Sequence, residues 1–399
     1  MEAAQWTKTI NCKVCGSENL DQIIDMPGLP LTGIFSKQPI LNSKEHKFDQ
    51  SFLLCKQCSH GQLGHILSPA LIYNDTYTHR SGASPISLKG NDSFYSYIKK
   101  KIGDKKYKSI LEIGCNDLYL LKKLSRHADE TLGIDPIWKD KDHNLTEHVR
   151  VQGKFIHELK RSQDFTQPPD LVYSSHTFEH IDEIFNSLKQ LFEITADECE
   201  FFIEVPSLDT LIKTYRFDQI FHQHINYFSE KSILTMVQQL GGTYVDHGYN
   251  YNYWGGTLYF MFKKTKQKVS ALNAEKFQSS TSEKVLNHFE FFKNHMQQIP
   301  QAIKDLNEVA YGFGGAQMLP TLAYYMKSDL GFLKYILDDN PDRSDCYLPE
   351  IKPVIKPAQF VFDLNEATVL ITALDSARPI TKRLLEIQPR RIINPSLIT

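Results

Sequence analysis

The sequence lacks long apolar runs and any excess of one charge. No window approaches the roughly 18 apolar residues that a membrane-spanning helix requires, and the polar start at residues 1–5 does not have the pattern of a signal peptide. The 45 lysines and arginines nearly balance the 47 aspartates and glutamates, without a long basic run, which argues against nucleic acid as the main partner. We therefore expect a cytoplasmic protein that binds neither nucleic acid nor a membrane.

The sequence also lacks the even number of cysteines that is typical of a protein stabilised by disulfide bonds. Of its seven cysteines, four form the C-x-x-C pairs Cys12/Cys15 and Cys55/Cys58. Each pair directs two thiolates at a point about 2.3 Å away, and two pairs complete a closed tetrahedral zinc site. Because four protein ligands leave zinc no open position, we expect this metal to stabilise the fold; a redox pair and unrelated thiols are the alternatives.

A G-x-G-x-x-G turn is missing where a nucleotide-binding α/β unit begins. Residues 109–113 are typical of a strand, which ends in the turn 114–117 and runs directly into a helix over 118–126. A second strand over 131–134 ends at Asp135, about 20 residues after Gly114, where an acid can bind ribose hydroxyls. A glycine-poor turn suits a cofactor with a sugar and no pyrophosphate, which favours S-adenosylmethionine over NAD; an ordinary strand-to-helix turn is the alternative.

The α/β alternation continues through a strand at 170–175, a helix to about 195 and a strand at 200–206 that a proline ends. In an open parallel sheet, ligands bind outside the carboxyl ends of the strands. The residues around and after these strand ends should therefore face one cleft. The residues predicted to bind the cofactor are Glu112, Gly114, Asn116, Asp117, Asp135, Pro136, Ser175 and His176.

An aromatic-rich segment, 217–228, follows the last of these strands and contains His222 and His224. Histidine titrates near neutral pH, so it can take a proton from a carbon next to a carbonyl. One alternative is that the two histidines form a buried hydrogen-bonding pair. A metal site is a weaker alternative, because no third ligand is nearby in the sequence. Upstream, the tyrosine- and serine-containing segment 73–84 either lines a ligand pocket or is a surface connection.

The last hundred residues repeat the α/β pattern, with strands near 309–313, 335–337 and 368–373. The glycine turn at 312–315 is followed by acids about 25 residues later, the approximate layout of a dinucleotide fold. We predict a structural or nucleotide-diphosphate-binding Rossmann-like domain here, with an NAD-dependent oxidoreductase as the alternative. Before it, residues 253–260 should form an antiparallel edge strand of the central sheet, and a capping box at 280–283 should begin a helix that reaches Pro300.

Taken in order, these motifs resemble the nucleotide-sugar C-methyltransferases, which methylate a ring carbon of 4-keto-deoxysugar nucleotides. The resemblance covers the cysteine pairs with the segment 53–63, the loop 77–84, the turn 112–117, the Glu179-His180 pair, Glu204, the histidine loop and Gly255-Gly256. It implies an α/β chain with three domains: a zinc-knuckle domain at 1–70, a Rossmann-like class I methyltransferase domain at 71–265, and a Rossmann-like domain at 266–399 that contacts the sugar nucleotide. The protein should be a monomer or a homodimer.

The resemblance also implies the chemistry. The family's Tyr-His-Glu-His loop reads Phe221-His222-Gln223-His224 here, so the general base falls on His224. Glu112, Gly114 and Asn116 would hold the methionine part of the cofactor, and Asp135 its ribose. The candidate catalytic residues are His224, His180, Tyr77, His222 and Gln223, with His180 and Tyr77 stabilising an enolate.

The chain departs from the family pattern in the loop and in the cofactor turn. Gln223 cannot stabilise an imidazolium as a carboxylate would, so His224 should be a weaker base than in the family. Leu118 replaces a glycine of the family's cofactor turn. The alternatives are methylation at oxygen or nitrogen of a nucleotide sugar, and a sugar-nucleotide-binding protein that has lost methyl transfer.

Overall fold

A computed structural model describes residues 6–72, 85–141, 143–265, 277–361 and 363–396. The predicted catalytic residue Tyr77 and its loop lie outside the described residues. Among the described helices, none combines the length and the apolar character that crossing a membrane would need.

The amino-terminal part consists of short antiparallel strands around the cysteine pairs. Strand β2 pairs with β3 and β3 with β4, while β1 pairs with β5. Cys55 is the last residue of β3, and the other C-x-x-C pair follows β1. The elements are β1 (Trp6–Lys8), β2 (Leu20–Pro30), β3 (Lys47–Cys55), β4 (Gly61–Leu63), β5 (His65–Leu67) and α1 (Pro69–Ile72).

The central part is an eight-stranded sheet with helices on both faces, in the order β13-β14-β11-β10-β6-β7-β9-β8. Its middle strands are almost continuously buried, as expected of strands that are covered on both faces. The elements are α2 (Pro85–Ile102), β6 (Tyr107–Ile113), α3 (Tyr119–Leu124), β7 (Ala128–Ile134), β8 (His143–Thr146), β9 (Val149–Gln152), α4 (Arg161–Asp164), β10 (Leu171–Ser175), α5 (Ile184–Ile194), β11 (Glu200–Pro206), α6 (Leu208–Lys213), α7 (Glu230–Gln239), β13 (Gly242–Asn250) and β14 (Thr257–Lys264). The short strand β12 (Asn226–Tyr227) lies in this part of the chain but outside the eight-stranded sheet.

The order of the parallel strands creates a crevice between β6 and β10. From β6 the chain moves outward through β7 to β9 and then returns to β10 on the other side of β6. The loops after β6 and β10 therefore separate at this switch point, where ligands of open α/β sheets bind.

The predicted antiparallel strand is confirmed as β14, which pairs with β11, but its edge position is wrong. Strand β13 pairs on its outer side and forms the edge. Most residues of β13 are only half-buried, and its register shifts between Tyr244 and Asp246, so it lacks the regular alternation that identifies a strand in a sequence.

The carboxyl-terminal part is an all-parallel sheet in the order β17-β16-β15-β18-β19, which confirms the predicted Rossmann-like fold. The prediction that helix α8 ends at Pro300 is wrong. The helix continues to Asp305 because Ile299 and Ile303 extend its buried face. The elements are α8 (Ser282–Asp305), β15 (Ala310–Phe313), α9 (Leu319–Tyr325), β16 (Ile336–Asp338), β17 (Ile355–Pro357), β18 (Thr368–Ile371), α10 (Ala377–Ile387) and β19 (Arg391–Ile393).

Two features join the three parts. One apolar cluster contains Phe52 of the amino-terminal sheet, Phe217 of the central part and Phe292 of α8. In addition, β12, which lies next to the histidine loop in sequence, pairs with β4 and so belongs to the amino-terminal sheet. The histidine loop is therefore held between the central sheet and the amino-terminal sheet.

Candidate active site

The four paired cysteines meet at one point. The Sγ atoms of Cys12 and Cys58 are 3.6 Å apart, as are those of Cys15 and Cys55. All four Sγ atoms lie within 4.8 Å of one another. A zinc ion with bonds of about 2.3 Å requires separations of roughly 3.8 Å between its sulfur ligands, so the cluster fits tetrahedral zinc.

The turn after β6 is shaped by backbone conformations with positive φ. Gly114 has φ +74°, and a side chain there would clash with Thr177 from the loop after β10. Leu118, which replaces the family's glycine, also has a positive φ of 70°. This backbone is strained for leucine, but its side chain is buried against Leu121 and Val151, which offsets the strain. The backbone at residue 118 therefore keeps the positive-φ conformation that glycine favours, although the residue is leucine.

Asp135 ties this turn to the end of β7. Its carboxylate accepts hydrogen bonds from the backbone amides of Asn116 and Ile137, each at 3.0 Å. Trp138 Nε1 donates to the carbonyl of Asn116 at 2.7 Å. A carboxylate oxygen can accept more than one hydrogen bond, so this arrangement is compatible with binding ribose hydroxyls. Asn116, Asp117, Asp135 and the exposed Pro136 are thus brought to one edge of the sheet.

Glu112 lies in the interior beneath the turn. Only 3% of its surface is exposed, and it accepts a hydrogen bond from the Tyr173 hydroxyl at 2.8 Å. Burial raises the pKa of Glu112 to about 8, and the hydrogen bond from Tyr173 only partly opposes this. Burial therefore favours the protonated form of this carboxyl group.

The other wall of the crevice begins at Ser175 and His176. Ser175 Oγ donates to Glu204 Oε2 at 2.7 Å, and Thr257 Oγ1 donates to Glu204 Oε1 at 2.8 Å. The His176 ring lies edge-on to Trp254 with 4.3 Å between ring centroids. Burial would lower the pKa of His176, but the carboxylates of Glu179 and Glu204 raise it. Trp254 was not among the predicted site residues, because its contact with His176 depends on the β13–β14 hairpin.

His180 and His224 are brought together beside a buried carboxylate. Their ring centroids are 4.9 Å apart, and both rings are partly exposed. His180 Nδ1 lies 2.8 Å from the Gln223 carbonyl, so Nδ1 carries the proton and donates it. His180 Nε2 then faces Glu179 Oε1 at 4.0 Å.

Glu179 is fully buried and charged. Burial would raise its pKa, but a hydrogen bond from His176 and the nearby His180 and His224 hold the pKa at about 2. A carboxylate near His224 therefore exists, although position 223 does not supply it. The sequence signal was the adjacent Glu179-His180 pair; its proximity to His224 required the tertiary structure.

The side chains of His222 and Gln223 point away from His180 and His224 and contact the amino-terminal part of the chain. His222 Nε2 donates to the Leu29 carbonyl at 3.0 Å, and burial lowers the pKa of His222 to about 4. The Gln223 amide makes two hydrogen bonds with Thr32: its Oε1 accepts from the hydroxyl at 2.8 Å, and its Nε2 donates to the carbonyl at 3.0 Å. A glutamate at position 223 could not donate the second bond.

Asp375 of the carboxyl-terminal part contacts the central part close to Trp254. The buried Arg216 forms a two-pronged ion pair with Asp218 and a further ion pair with Asp375 at 2.7 Å. Gln219 Nε2 donates to Asp375 and to the carbonyl of Trp254, both at 3.0 Å. In the carboxyl-terminal sheet itself, Asp338 accepts a bond from the Gly315 amide at 2.7 Å.

Comparisons with known proteins match two stretches of this chain to families. Residues 91–247 match the family described as "Methyltransferase domain", and residues 12–73 match the family described as "Putative zinc binding domain". The C-methyltransferase NovU of Streptomyces niveus is 26% identical over 246 residues, which cover 59% of this chain and 56% of that protein. The chain thus spans about half the length of the curated relative it matches.

Two solved structures illustrate the structural similarity. The N-methyltransferase NodS from Bradyrhizobium japonicum WM9, in complex with S-adenosyl-L-homocysteine, is 13% identical with a TM-score of 0.35, covering 48% of this chain and 93% of that chain. Magnesium protoporphyrin IX methyltransferase from Synechocystis PCC 6803, with bound S-adenosylhomocysteine, is 10% identical with a TM-score of 0.35, covering 45% and 85%.

The family matches and the four-cysteine cluster define a protein class: an S-adenosylmethionine-dependent methyltransferase domain preceded by a zinc-binding domain. The predictions of S-adenosylmethionine and zinc as cofactors are confirmed. Within this class, the resemblance to the C-methyltransferases is confirmed by the curated relative.

Proposed function

We propose that this protein methylates the ring carbon next to the ketone of a 4-keto-deoxysugar nucleotide. The observation that carries the proposal is the pair of histidines, His180 and His224, beside the buried carboxylate of Glu179. Thr177, three residues before His180, packs against Gly114 of the cofactor turn. The proposed base therefore lies close to the crevice that suits the cofactor.

His224 is the proposed general base. A proton next to a ketone is weakly acidic, so its removal requires a base that is neutral near pH 7 and held close to the carbon. As the imidazolium forms, the charged Glu179 stabilises it by electrostatic attraction in a buried setting. Glu179 thus takes the part that a carboxylate at position 223 has in the family pattern.

His180 is the proposed partner of the developing enolate oxygen. Because Nδ1 is engaged with the Gln223 carbonyl, a neutral His180 presents Nε2 as an acceptor, and only the imidazolium donates from Nε2. A hydrogen bond from His180 to the enolate oxygen therefore requires a proton on Nε2 as well as on Nδ1. Tyr77 stays a predicted second donor.

Bound S-adenosylmethionine would supply an already activated methyl group. Gly114, Asn116 and Asp117 would position it from the turn after β6, Asp135 and Pro136 from the end of β7, and Ser175 and His176 from the end of β10. Glu112 would support this turn from below, through its hydrogen bond with Tyr173. Positioning is the largest contribution that we expect from the protein.

The first test is the variant His224→Ala, assayed with a dTDP-linked 4-keto-deoxysugar. Cofactor binding, measured by isothermal titration, should stay intact, while turnover should fall by on the order of 10²-fold or more because the base is lost. His148→Ala is the matched control, since His148 is exposed and away from the cleft. Full activity of His224→Ala would remove His224 from the mechanism.

Isotope exchange separates methylation at carbon from methylation at oxygen or nitrogen. In deuterium oxide, the wild-type protein should exchange the proton next to the ketone of the same sugar nucleotide, and His224→Ala should exchange it far more slowly. An O-methyl or N-methyl product without exchange would overturn the proposal.

A further inference from the structure

Three potential metal ligands converge at the cleft from two loops. The ligand atoms of Glu179, His180 and His224 all lie within 4.8 Å of one another. Glu179 and His180 follow β10, whereas His224 comes from the loop that the amino-terminal sheet holds. Both imidazoles are partly exposed, so an ion can reach them from the cleft.

The surrounding contacts orient two of these ligands. His180 directs Nε2 toward Glu179 because its Nδ1 donates to the Gln223 carbonyl, the second contact that commonly orients a metal-binding histidine. Glu179 Oε1 lies 3.2 Å from His176 Nδ1. The other carboxylate oxygen, Glu179 Oε2, is buried and has no hydrogen-bond partner among the described residues. A buried carboxylate oxygen in this state is costly unless a cation or donor meets it.

We propose that Glu179, His180 and His224 bind a divalent first-row transition-metal ion, and that this ion inhibits methyl transfer. Two imidazoles and a carboxylate suit Zn²⁺, Co²⁺ or Ni²⁺, whereas Mg²⁺ and Ca²⁺ prefer oxygen ligands alone. Metal bonds of about 2.0–2.1 Å require roughly 3.4 Å between ligand atoms. His180 Nε2 and Glu179 Oε1, now 4.0 Å apart, need only a small side-chain adjustment.

The inhibition rests on the proposed function. A ring nitrogen of His224 bound to a metal has no lone pair left to remove a proton from the substrate. The same ion would neutralise Glu179, which is the counter-charge of the proposed imidazolium. Metal binding and proton abstraction therefore exclude each other at this site.

The binding test is a titration of the zinc-loaded protein with Co²⁺, monitored by visible absorption. We expect one Co²⁺ to bind per protein, with the ligand-field bands of nitrogen and oxygen ligands and without the thiolate charge-transfer band of a four-cysteine site. Glu179→Gln and His180→Ala should each weaken binding by at least about tenfold. His148→Ala, an exposed histidine, should bind like the wild type.

Binding that is equal in Glu179→Gln, His180→Ala and the wild type would overturn the metal site. If one variant fails to fold by circular dichroism, the other still decides, because the two side chains contribute separate ligands. The Co²⁺ binding test uses no substrate, so its result does not depend on the proposed function.

The activity test compares turnover of the zinc-loaded protein with and without one added equivalent of Co²⁺ or Ni²⁺. We expect loss of most activity and recovery after brief treatment with a weak chelator that leaves the four-cysteine zinc in place. Activation, or unchanged turnover with the site filled, would overturn the inhibitory role. Absence of turnover under every condition, with Co²⁺ bound, would instead count against the proposed function alone.

Discussion

Two buried glutamates near the crevice differ in charge because their neighbours differ. Glu112 contacts a neutral tyrosine hydroxyl, and burial raises its pKa to about 8. Glu179 is just as buried, but three histidines surround it, and its pKa is about 2. Only Glu179 therefore carries the negative charge that can balance an imidazolium. Residue type alone does not reveal this difference.

At the residue scale, His222 should make stability depend on pH. Its pKa is lowered from 6.5 to about 4 in the folded protein because burial disfavours the charged ring. As pH falls from about 6.5 to 4, the unfolded chain gains a proton that the folded protein does not, so stability is lost over this window, by up to about 3 kcal/mol.

The variant His222→Gln tests this, since an amide can still donate to Leu29 and accept from Gln50 but does not titrate. Urea unfolding at pH 7 and pH 5 should show a smaller loss of stability for the variant than for the wild type. An equal loss in both proteins would show that other groups cause the acid sensitivity.

At the element scale, hydrogen bonds connect β12 and the residue after Phe228 with the residues that follow the cysteine Cys58. Ser59 and His60 follow the ligand Cys58; Ser229 Oγ donates to the Ser59 carbonyl at 3.0 Å, and His60 Nε2 lies 3.1 Å from Asn226 Oδ1. Asn226 belongs to β12 and also donates to the Ile181 carbonyl at 2.7 Å, beyond the Glu179-His180 pair. The zinc site thus supports the two loops that carry the proposed catalytic groups.

Removal of zinc should therefore loosen the histidine loop and reduce turnover. We expect a strong chelator to release one zinc per protein, to increase amide hydrogen exchange over residues 220–228, and to lower turnover by at least about tenfold, because proton-transfer groups contribute only when held in position. Exchange in β15 and β18, in the carboxyl-terminal sheet, is the internal control. Unchanged exchange over 220–228 after complete zinc loss would contradict this coupling.

At the scale of the whole molecule, the Arg216–Asp375 ion pair joins the central and carboxyl-terminal parts. Arg216 is buried, and its contact with Asp375 adds to the one with Asp218. Loss of one partner leaves a buried cation less well compensated. The two parts also share the apolar cluster that includes Phe217 and Phe292.

Asp375→Ala should destabilise the protein by about 1–2 kcal/mol, less than the loss of a sole partner, because Asp218 remains. The midpoint of urea unfolding should fall accordingly. Glu193→Ala, an exposed acidic residue on α5, is the matched control and should change the midpoint little. Equal midpoints for both variants would show that Asp375 does not contribute to the stability of the folded protein.

Much of the fold could be predicted because its signals are local. The strand, turn and helix at 107–124, the strand at 200–206 and the parallel carboxyl-terminal sheet follow from apolar runs, glycines and prolines that are close in sequence. Strand β13 was missed because its residues are polar and half-buried, and the end of α8 was misplaced because packing of Ile303 outweighs the proline. Tertiary packing overrides local propensity at these places.

The sequence by itself determined the two cysteine pairs and the strand, turn and helix that begin the central sheet. Cys12 with Cys15 and Cys55 with Cys58 each lie at a spacing that the chain's covalent geometry largely fixes, and residues 109–117 carry the strand and its turn in one continuous stretch. Only the tertiary structure decided which residues share the histidine cleft. Glu179 meets His224, and Gln223 meets Thr32, because the strand order and the pairing of β12 with β4 bring distant loops together. Such contacts depend on long-range packing, which leaves no periodic pattern in the sequence.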